Sequence, residues 1–189
     1  MSPFISYFAY GSNLTHSRLV ARIGMCQVRA TATLSGYRLA FHKRGADGSA
    51  KCDAHHTGDS LDRVRGAVYE ITAEQKAVLD RYEGVGFGYA MHTVEAVVDA
   101  TSRAGDMSGG AIRTLIYLAQ SEYVDPRAVP FSWYRDFVAE GARRHGLPAE
   151  YVGTIEAVPA VQDPDRRRHR ENARILTAPL DSLVSARGS

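Results

Sequence analysis

Residues Tyr7 to Asn13 read YFAYGSN, and the rest of the chain is best read outward from this stretch. Ile5 to Tyr10 is apolar and aromatic enough for a strand buried on both faces, and Gly11, Ser12 and Asn13 end it abruptly. Leu14 to Ile23 then reads as a helix, with Ser12 or Asn13 as its N-cap and Gly24 as its stop. A strand that runs through a glycine turn into a helix N-terminus gathers backbone N–H groups around one concavity, which suits an anion. Gly11 would let the chain reverse and let a ligand approach the backbone without steric cost. No Gly-Lys-Ser/Thr follows, so this is not a P-loop, and the spaced glycines of a dinucleotide fingerprint are missing. The expected ligand is therefore a small anion and not a nucleotide. The same stretch taken alone also fits an ordinary buried strand-to-helix turn.

Beyond Gly24, Gln27 to Leu34 and Tyr37 to Lys43 are β-rich runs separated by Ser35-Gly36, which predicts a hairpin joining the first strand in one sheet. Arg44 to Arg63 loses its periodicity and reads as a long loop. Val64 to Ile71 returns to strand, with Gly66 allowing a close backbone approach. Thr72 to Gln75, TAEQ, is a capping box that opens a second helix carrying Val78, Leu79 and Tyr82. Tyr89 to Ala100 and Ala111 to Leu118 read as strands around a polar loop over Thr101 to Gly110. Phe131 to His145 is an amphipathic helix that stops at Gly146, with Pro148 beyond it and a short helix over Ala149 to Ile155. Strands outnumber helices through the first two thirds and the connections are short. An α+β fold follows, a small mixed or antiparallel β-barrel with flanking helices, in preference to a doubly wound parallel sheet. The expected division is one domain over residues 1–160 and a weakly organised basic C-terminal tail over 161–189.

The second helix ends in YEGVGFGYA, residues 82–90. Glu83 precedes Gly84, Gly86 and Gly88, with Val85, Phe87 and Tyr89 interleaved. A carboxylate enclosed by such a turn loses solvent, which disfavours its charged form and suits a general acid/base working near neutral pH. The bland alternative is a solvated residue at a helix end.

The chain has 189 residues and a formal charge of +2, too small to point to nucleic acid or an anionic membrane as a partner. The basic run Arg166 to Arg170 is the kind usually found on a solvated face or tail. No apolar run spans a membrane and the N-terminus lacks a basic n-region, so neither an anchor nor a cleaved signal is expected. Cys26 and Cys52 stand in no metal or redox spacing, which favours a reducing, cytoplasmic setting. His55-His56 with Cys52, Asp53 or Asp59 matches no zinc pattern, and no metal is expected. Ser12 lies outside a G-x-S-x-G elbow and reads as a ligand-binding hydroxyl, not a nucleophile.

YFAYGSN, then EG in a glycine-rich turn, then GLPAEY at 146–151 after a late amphipathic helix, occur in that order. Together they resemble the γ-glutamylcyclotransferase family (AIG2-like) from about Tyr7 to Pro159, and the full YFAYGSN resembles the branch acting on γ-glutamyl amino acids. The resemblance implies a small β-barrel with flanking helices, no cofactor, a small γ-glutamyl substrate, and room for a homodimer. It maps Tyr7, Phe8, Ala9, Tyr10, Gly11 and Ser12 onto the substrate-binding loop, Glu83 onto the catalytic carboxylate, and Tyr134 in FSWYRDF onto a tyrosine bordering the substrate. The implied reaction is cyclisation of the γ-glutamyl group to 5-oxoproline by its own α-amine. The alternatives are removal of a γ-glutamyl protecting group from a biosynthetic intermediate, and a non-catalytic ligand-binding module, which an exposed, salt-bridged Glu83 would favour. The chain departs from the family at KCDAHH, Lys51 to His56, where relatives more often carry a small apolar G-x-A-T-like strand, so the departing amine stays open.

Overall fold

The computed structural model describes residues 4–100 and 109–180. Its centre is a closed five-stranded barrel in the order β1 (Ile5–Ala9), β5 (Arg63–Ile71), β2 (Gln27–Ser35), β6 (Tyr89–Val98) and β7 (Ala111–Ala119). Every pairing is antiparallel except β1 with β7, where Tyr7 faces Leu115 in parallel register and closes the circle. The mixed barrel with flanking helices is thus the architecture expected from the strand count. Tyr7, Phe8 and Ala9 are all buried because β1 is enclosed on both faces. Gly66 fits the one place where β5 crosses β1 too closely for a side chain: a Cβ there would lie 2.4 Å from the Ala9 carbonyl oxygen and 2.8 Å from the Phe8 ring.

Two β expectations are overturned. Ser35-Gly36 does not make a hairpin, because β2 pairs with β5 and β6 and never with β3 (Tyr37–Arg44). Instead β3 pairs with β4 (Ala50–His56) as a separate two-stranded ribbon, so the expected loop over Arg44 to Arg63 contains a seven-residue strand. The turn that joins them explains why. Asp47 Oδ1 accepts from the Ser49 amide, Gly48 takes φ +81°, and the Gly45 amide donates to the Ser49 carbonyl, which brings the strands together locally. The expected polar loop over Thr101 to Gly110 lies mostly outside the described residues.

The helices surround the barrel: α1 (His16–Ile23), α2 (Ala73–Glu83), α3 (Ser132–Arg144), α4 (Ala149–Glu156) and α5 (Arg166–Thr177). The TAEQ capping box forms as read, with Thr72 accepting from the Gln75 amide at 3.2 Å and Gln75 accepting from the Thr72 amide at 3.0 Å. Leu79 is fully buried beneath α2, whereas Tyr82 is exposed. Helix α3 buries Trp133, Tyr134, Phe137 and Val138, and Gly146 at φ +68° ends the segment that follows it.

The basic run Arg166 to Arg170 forms the opening turns of α5, capped by Asp165, whose side chain accepts from the Arg167 and Arg168 amides. Asp163, just ahead, is buried and accepts from the Trp133 indole at 2.8 Å and from Arg168 at 2.6 and 2.7 Å. Arg168 above all, with Trp133, holds the Asp163 carboxyl at about 2. A depressed folded-state pKa contributes stability that is present above the unfolded value and lost as pH falls through the folded one. Wild type should therefore lose thermal stability steeply between about pH 4, the ordinary aspartate range, and pH 2. Asp163→Asn should flatten that part of a Tm-against-pH curve; parallel curves for the two proteins would remove Asp163 from the acid transition.

Candidate active site

Strand β1 delivers Tyr10 and Gly11 to the barrel rim, and a short 3-10 turn, Ser12–Leu14, follows before α1 begins at His16. The direct strand-to-helix passage expected from sequence is not formed, and neither Ser12 nor Asn13 caps α1, whose N-cap is Thr15. The reason lies in what the side chains do. Ser12 Oγ accepts from Arg18 Nε at 3.1 Å, while Asn13 Nδ2 donates to Glu83 Oε1 at 2.8 Å and to the Tyr7 hydroxyl at 3.0 Å. Both are engaged with the site and unavailable to a helix end. Gly11 keeps a negative φ of −97°, so it is needed for space and not for reversal. A Cβ at Gly11 would lie 3.1 Å from the Cys52 Cβ and 3.4 Å from the Tyr134 hydroxyl.

The turn is fixed from outside the cavity. The Leu14 carbonyl accepts from the Tyr69 hydroxyl at 3.1 Å and lies 3.0 Å from His145 Nε2, and the Thr15 hydroxyl donates to the Phe137 carbonyl. Helix α3 reaches the turn at Gly141, where a Cβ would come within 2.5 Å of the Thr15 nitrogen.

Glu83 is the last residue of α2, and Gly84 ends the helix in the left-handed conformation at φ +63°. That geometry swings the carboxylate toward the Tyr7–Asn13 loop, where its side chain is only 13% exposed. Oε1 accepts from both Asn13 and Arg22, the latter at 3.2 Å, and Arg22 also donates to Asn13 Oδ1 at 2.8 Å. Oε2 accepts from no group among the described residues. One oxygen is anchored and the other is available to a ligand. Of the residues interleaved in the glycine-rich turn only Tyr89 is buried and lines the cavity with Glu83; Phe87 is 82% exposed and Val85 is also exposed, so the turn supplies little of the enclosure. Most of it comes from Arg22 of α1 and Asn13 of the loop, which sequence spacing alone does not bring beside residue 83.

A cavity of about 30 Å³ is lined by Tyr7, Tyr10, Gly11, Ser12, Asn13, Cys52, Glu83, Tyr89, Tyr117 and Tyr134. Of the residues read from sequence as binding the substrate, Tyr7, Tyr10, Gly11, Ser12 and Tyr134 line it together with Glu83. Phe8 and Ala9 do not; Phe8 points to the opposite face of β1 from Tyr7, and both residues are fully buried in the barrel packing. Burial pushes the phenols of Tyr7, Tyr10, Tyr89, Tyr117 and Tyr134 above their ordinary value, and for Tyr7 the charge of Glu83 comes next. All five stay neutral near pH 7. Burial likewise raises the Cys52 thiol, which keeps it from acting as a thiolate nucleophile. Glu83 is then the one lining group suited to moving a proton.

Strand β4 also lines the cavity, through Cys52. The Cys52 amide donates to the Tyr134 hydroxyl at 3.0 Å, and its carbonyl accepts from the Tyr89 hydroxyl. Sequence reasoning had placed KCDAHH in a loop and missed Asn13 as the link to Glu83, Arg22 as its ion partner, and Tyr117 as a wall. Arg18 and Arg22 lie four apart on α1, a spacing that puts them on one helix face and could have marked them.

The potential metal ligands also regroup. Asp53 and His55 share a face of β4 with His42 of β3, and the three offer ligand atoms within 4.8 Å of one another. His56 instead packs its ring on Tyr37 at 4.8 Å, and Asp59 accepts from the Leu61 amide. Asp53 is held by His42 at 2.9 Å and by the Ala119 amide at 2.8 Å, ties that fix the ribbon against β7.

Comparison with known proteins agrees with this architecture. The family profile described as "Gamma-glutamyl cyclotransferase, AIG2-like" matches residues 7–136. Human γ-glutamylcyclotransferase is 30% identical over 158 residues, covering 80% of this chain and 77% of its own. A solved human structure superimposes with a TM-score of 0.76 at 24% identity, covering 94% of this chain and all of that one. A solved structure titled "Gamma-glutamyl cyclotransferase" gives 0.75 at 24% identity, covering 92% and 98%. A closed barrel with the YFAYGSN loop at its rim, matched over most of its length by that profile, makes this chain a member of the γ-glutamyl cyclotransferase, AIG2-like family of enzymes.

Proposed function

We propose that the protein converts γ-glutamyl amino acids or γ-glutamyl amines to 5-oxoproline and the free amine, with Glu83 as general acid/base. The observation that supports this most directly is the Glu83 carboxylate, shielded from solvent beside the YFAYGSN loop, with one oxygen anchored by Asn13 and Arg22 and the other without a partner among the described residues.

The substrate carries its own nucleophile. Glu83 takes a proton from the α-ammonium, the freed amine attacks the γ-carbonyl carbon, and the carbonyl electron pair moves onto oxygen. Collapse of the tetrahedral centre breaks the bond to the departing nitrogen, which takes the proton back from Glu83 as it leaves. The second proton on the attacking nitrogen passes to the released amine, leaving the neutral lactam. Folding the substrate so that amine and carbonyl meet supplies a large part of the rate, since an intramolecular attack is already oriented. Backbone N–H groups from Tyr10 to Ser12 hold substrate oxygens and stabilise the oxyanion. The neutral phenols of Tyr7, Tyr10 and Tyr134 orient the γ-glutamyl head without adding charge. Ser12, already accepting from Arg18, serves in binding and not in attack.

A non-catalytic binding module is the second reading, because Glu83 is ion-paired to Arg22 as that reading requires; its shielding from solvent argues the other way. Incubation with γ-glutamyl-alanine and a panel of compounds differing only in the amine portion should release 5-oxoproline, detected by chromatography. No release from any member of the panel, with the ligands still bound, would establish the binding module. Among the described residues no helix is long and apolar enough to cross a membrane, and Cys26 and Cys52 are both buried as free thiols, which supports a reducing cytoplasmic setting.

A further inference from the structure

Outside the narrow cavity lies a second one of about 530 Å³ that shares Ser12, Glu83, Tyr89 and Tyr134 with it. Its cationic lining is Arg18, Arg22, Lys43, Arg44, Lys51 and Arg81, and Glu83 is the only carboxylate among its lining residues. Arg22 pairs with Glu83, and Lys51 pairs with Asp47 at 2.7 Å. The others make no ion pair with a carboxylate among the described residues, although Asp47 and Glu83 lie near enough to act on Arg18 and Lys43. Arg18 donates to neutral Ser12 and Asn172, and Arg44 donates to the Glu122 carbonyl.

Lys43 is the most exacting of these. It is 8% exposed, yet its ammonium makes no hydrogen bond or ion pair among the described residues and lies only over the rings of Tyr89 at 4.8 Å and Tyr123 at 5.9 Å. The ammonium keeps an edge open to the cavity and is paired with no carboxylate among the described residues, so an anion entering from that side would meet a poorly compensated charge. The sequence makes room for it: a Cβ at Gly88 would lie 2.7 Å from the Lys43 nitrogen, so the last glycine of YEGVGFGYA is what lets this side chain lie where it does. Burial lowers the Lys43 and Lys51 ammonium groups below the ordinary lysine value, and an incoming anion would restore them.

We propose that this outer cavity receives the amine portion of the substrate, that this portion carries two or more negative charges, and that Lys43 is the residue selecting it. The inference rests on the cyclotransferase reading above and sharpens it. An acidic amino acid or a longer peptide joined through its amine to the γ-glutamyl group has the required chemistry. A single carboxylate would leave most of Arg18, Lys43, Arg44 and Arg81 uncompensated, and a neutral alkylamine would leave all four so. The volume fits, since pockets for small ligands run from about 300 to 1,000 Å³. Glu83 lies at the junction of the two cavities, where the bond between the γ-glutamyl head and the departing amine would be placed.

The test compares kcat/KM for γ-glutamyl-glutamate, γ-glutamyl-alanine and γ-glutamyl-ethylamide in wild type, Lys43→Met and Lys43→Arg. Wild type should prefer the acidic dipeptide to the ethylamide by at least about tenfold, mainly through KM, and the preference should shrink as salt is raised. Lys43→Met should reduce that ratio severalfold, and Lys43→Arg should restore most of it. Equal use of all three compounds by wild type, or a ratio unmoved in a folded Lys43→Met protein, overturns the inference while leaving the cyclotransferase reading intact. If no compound is turned over, the cyclotransferase reading fails separately. Calorimetric binding of the acidic and alanyl dipeptides to wild type then decides the inference: tighter binding of the acidic one supports it, and equal affinity overturns it.

Discussion

The Glu83→Gln protein should form 5-oxoproline from a γ-glutamyl dipeptide about 10²- to 10⁴-fold more slowly than wild type, the usual worth of a positioned general acid/base. Glutamine keeps an oxygen where Asn13 and Arg22 now donate, so the local hydrogen bonding survives, but it cannot carry a proton between the α-ammonium and the departing nitrogen. The loss should fall on kcat, with KM little changed, because the proton transfers belong to the transition state and not to binding. Stability should change modestly. Arg22 loses a charged partner but keeps Asn13 Oδ1 and the ring of Tyr82 at 5.2 Å. An ion pair of this kind is worth about 1 kcal/mol or less near a surface, which moves the Tm of a domain this size by about 2–4 °C. Undiminished turnover would take Glu83 out of the mechanism. A collapse in Tm well beyond that range, with activity tracking the folded fraction, would make the residue structural.

Gly141→Ala should destabilise the protein by about 1–3 kcal/mol, the cost of forcing extra atoms into a packed site. The sign is the informative part, since the same change in an unconstrained helix stabilises by about 0.5–1 kcal/mol. At Gly141 the new methyl would lie 2.5 Å from the Thr15 nitrogen and 2.6 Å from the Leu14 carbonyl carbon. Those atoms are backbone and cannot rotate away. They are further held by Tyr69, His145 and the Phe137 carbonyl, so the turn that presents Ser12 and Asn13 has to move as a unit. Urea unfolding should show the lower midpoint, and the 5-oxoproline assay at low temperature, where the protein stays folded, should show a loss of rate as Asn13 is drawn off Glu83. A Gly141→Ala protein more stable than wild type would show that α3 does not clamp the loop through its backbone.

Much of the fold was legible because the cues are local. The apolar run of β1, the capping box of α2 and the glycine stops at Gly24 and Gly146 each act within a few residues. The β2–β3 misreading has the same origin. Ser35-Gly36 has the composition of a hairpin turn, but pairing is decided by which strand can bury the alternating Ala30, Ala32 and Leu34, and β5 does so over eight paired residues. The Asp47-Gly48 pair was the better hairpin signal, and it was obscured by the polar residues around it.

The YFAYGSN strand and the carboxylate that closes α2 stand out in the sequence by their immediate neighbours, and the tyrosine on α3 was marked by the family resemblance. What only the tertiary structure decided is how they meet. Asn13 and Arg22 reach Glu83 across 70 and 61 residues of chain, Cys52 is carried to the Tyr134 hydroxyl by a strand the composition concealed, and the Lys43 side chain is brought against Gly88 at the cavity wall. The physical reason is that a side chain's solvent and partners are set by the elements packed over it, and barrel closure brings those elements from parts of the chain whose separation in sequence carries no record of the contact.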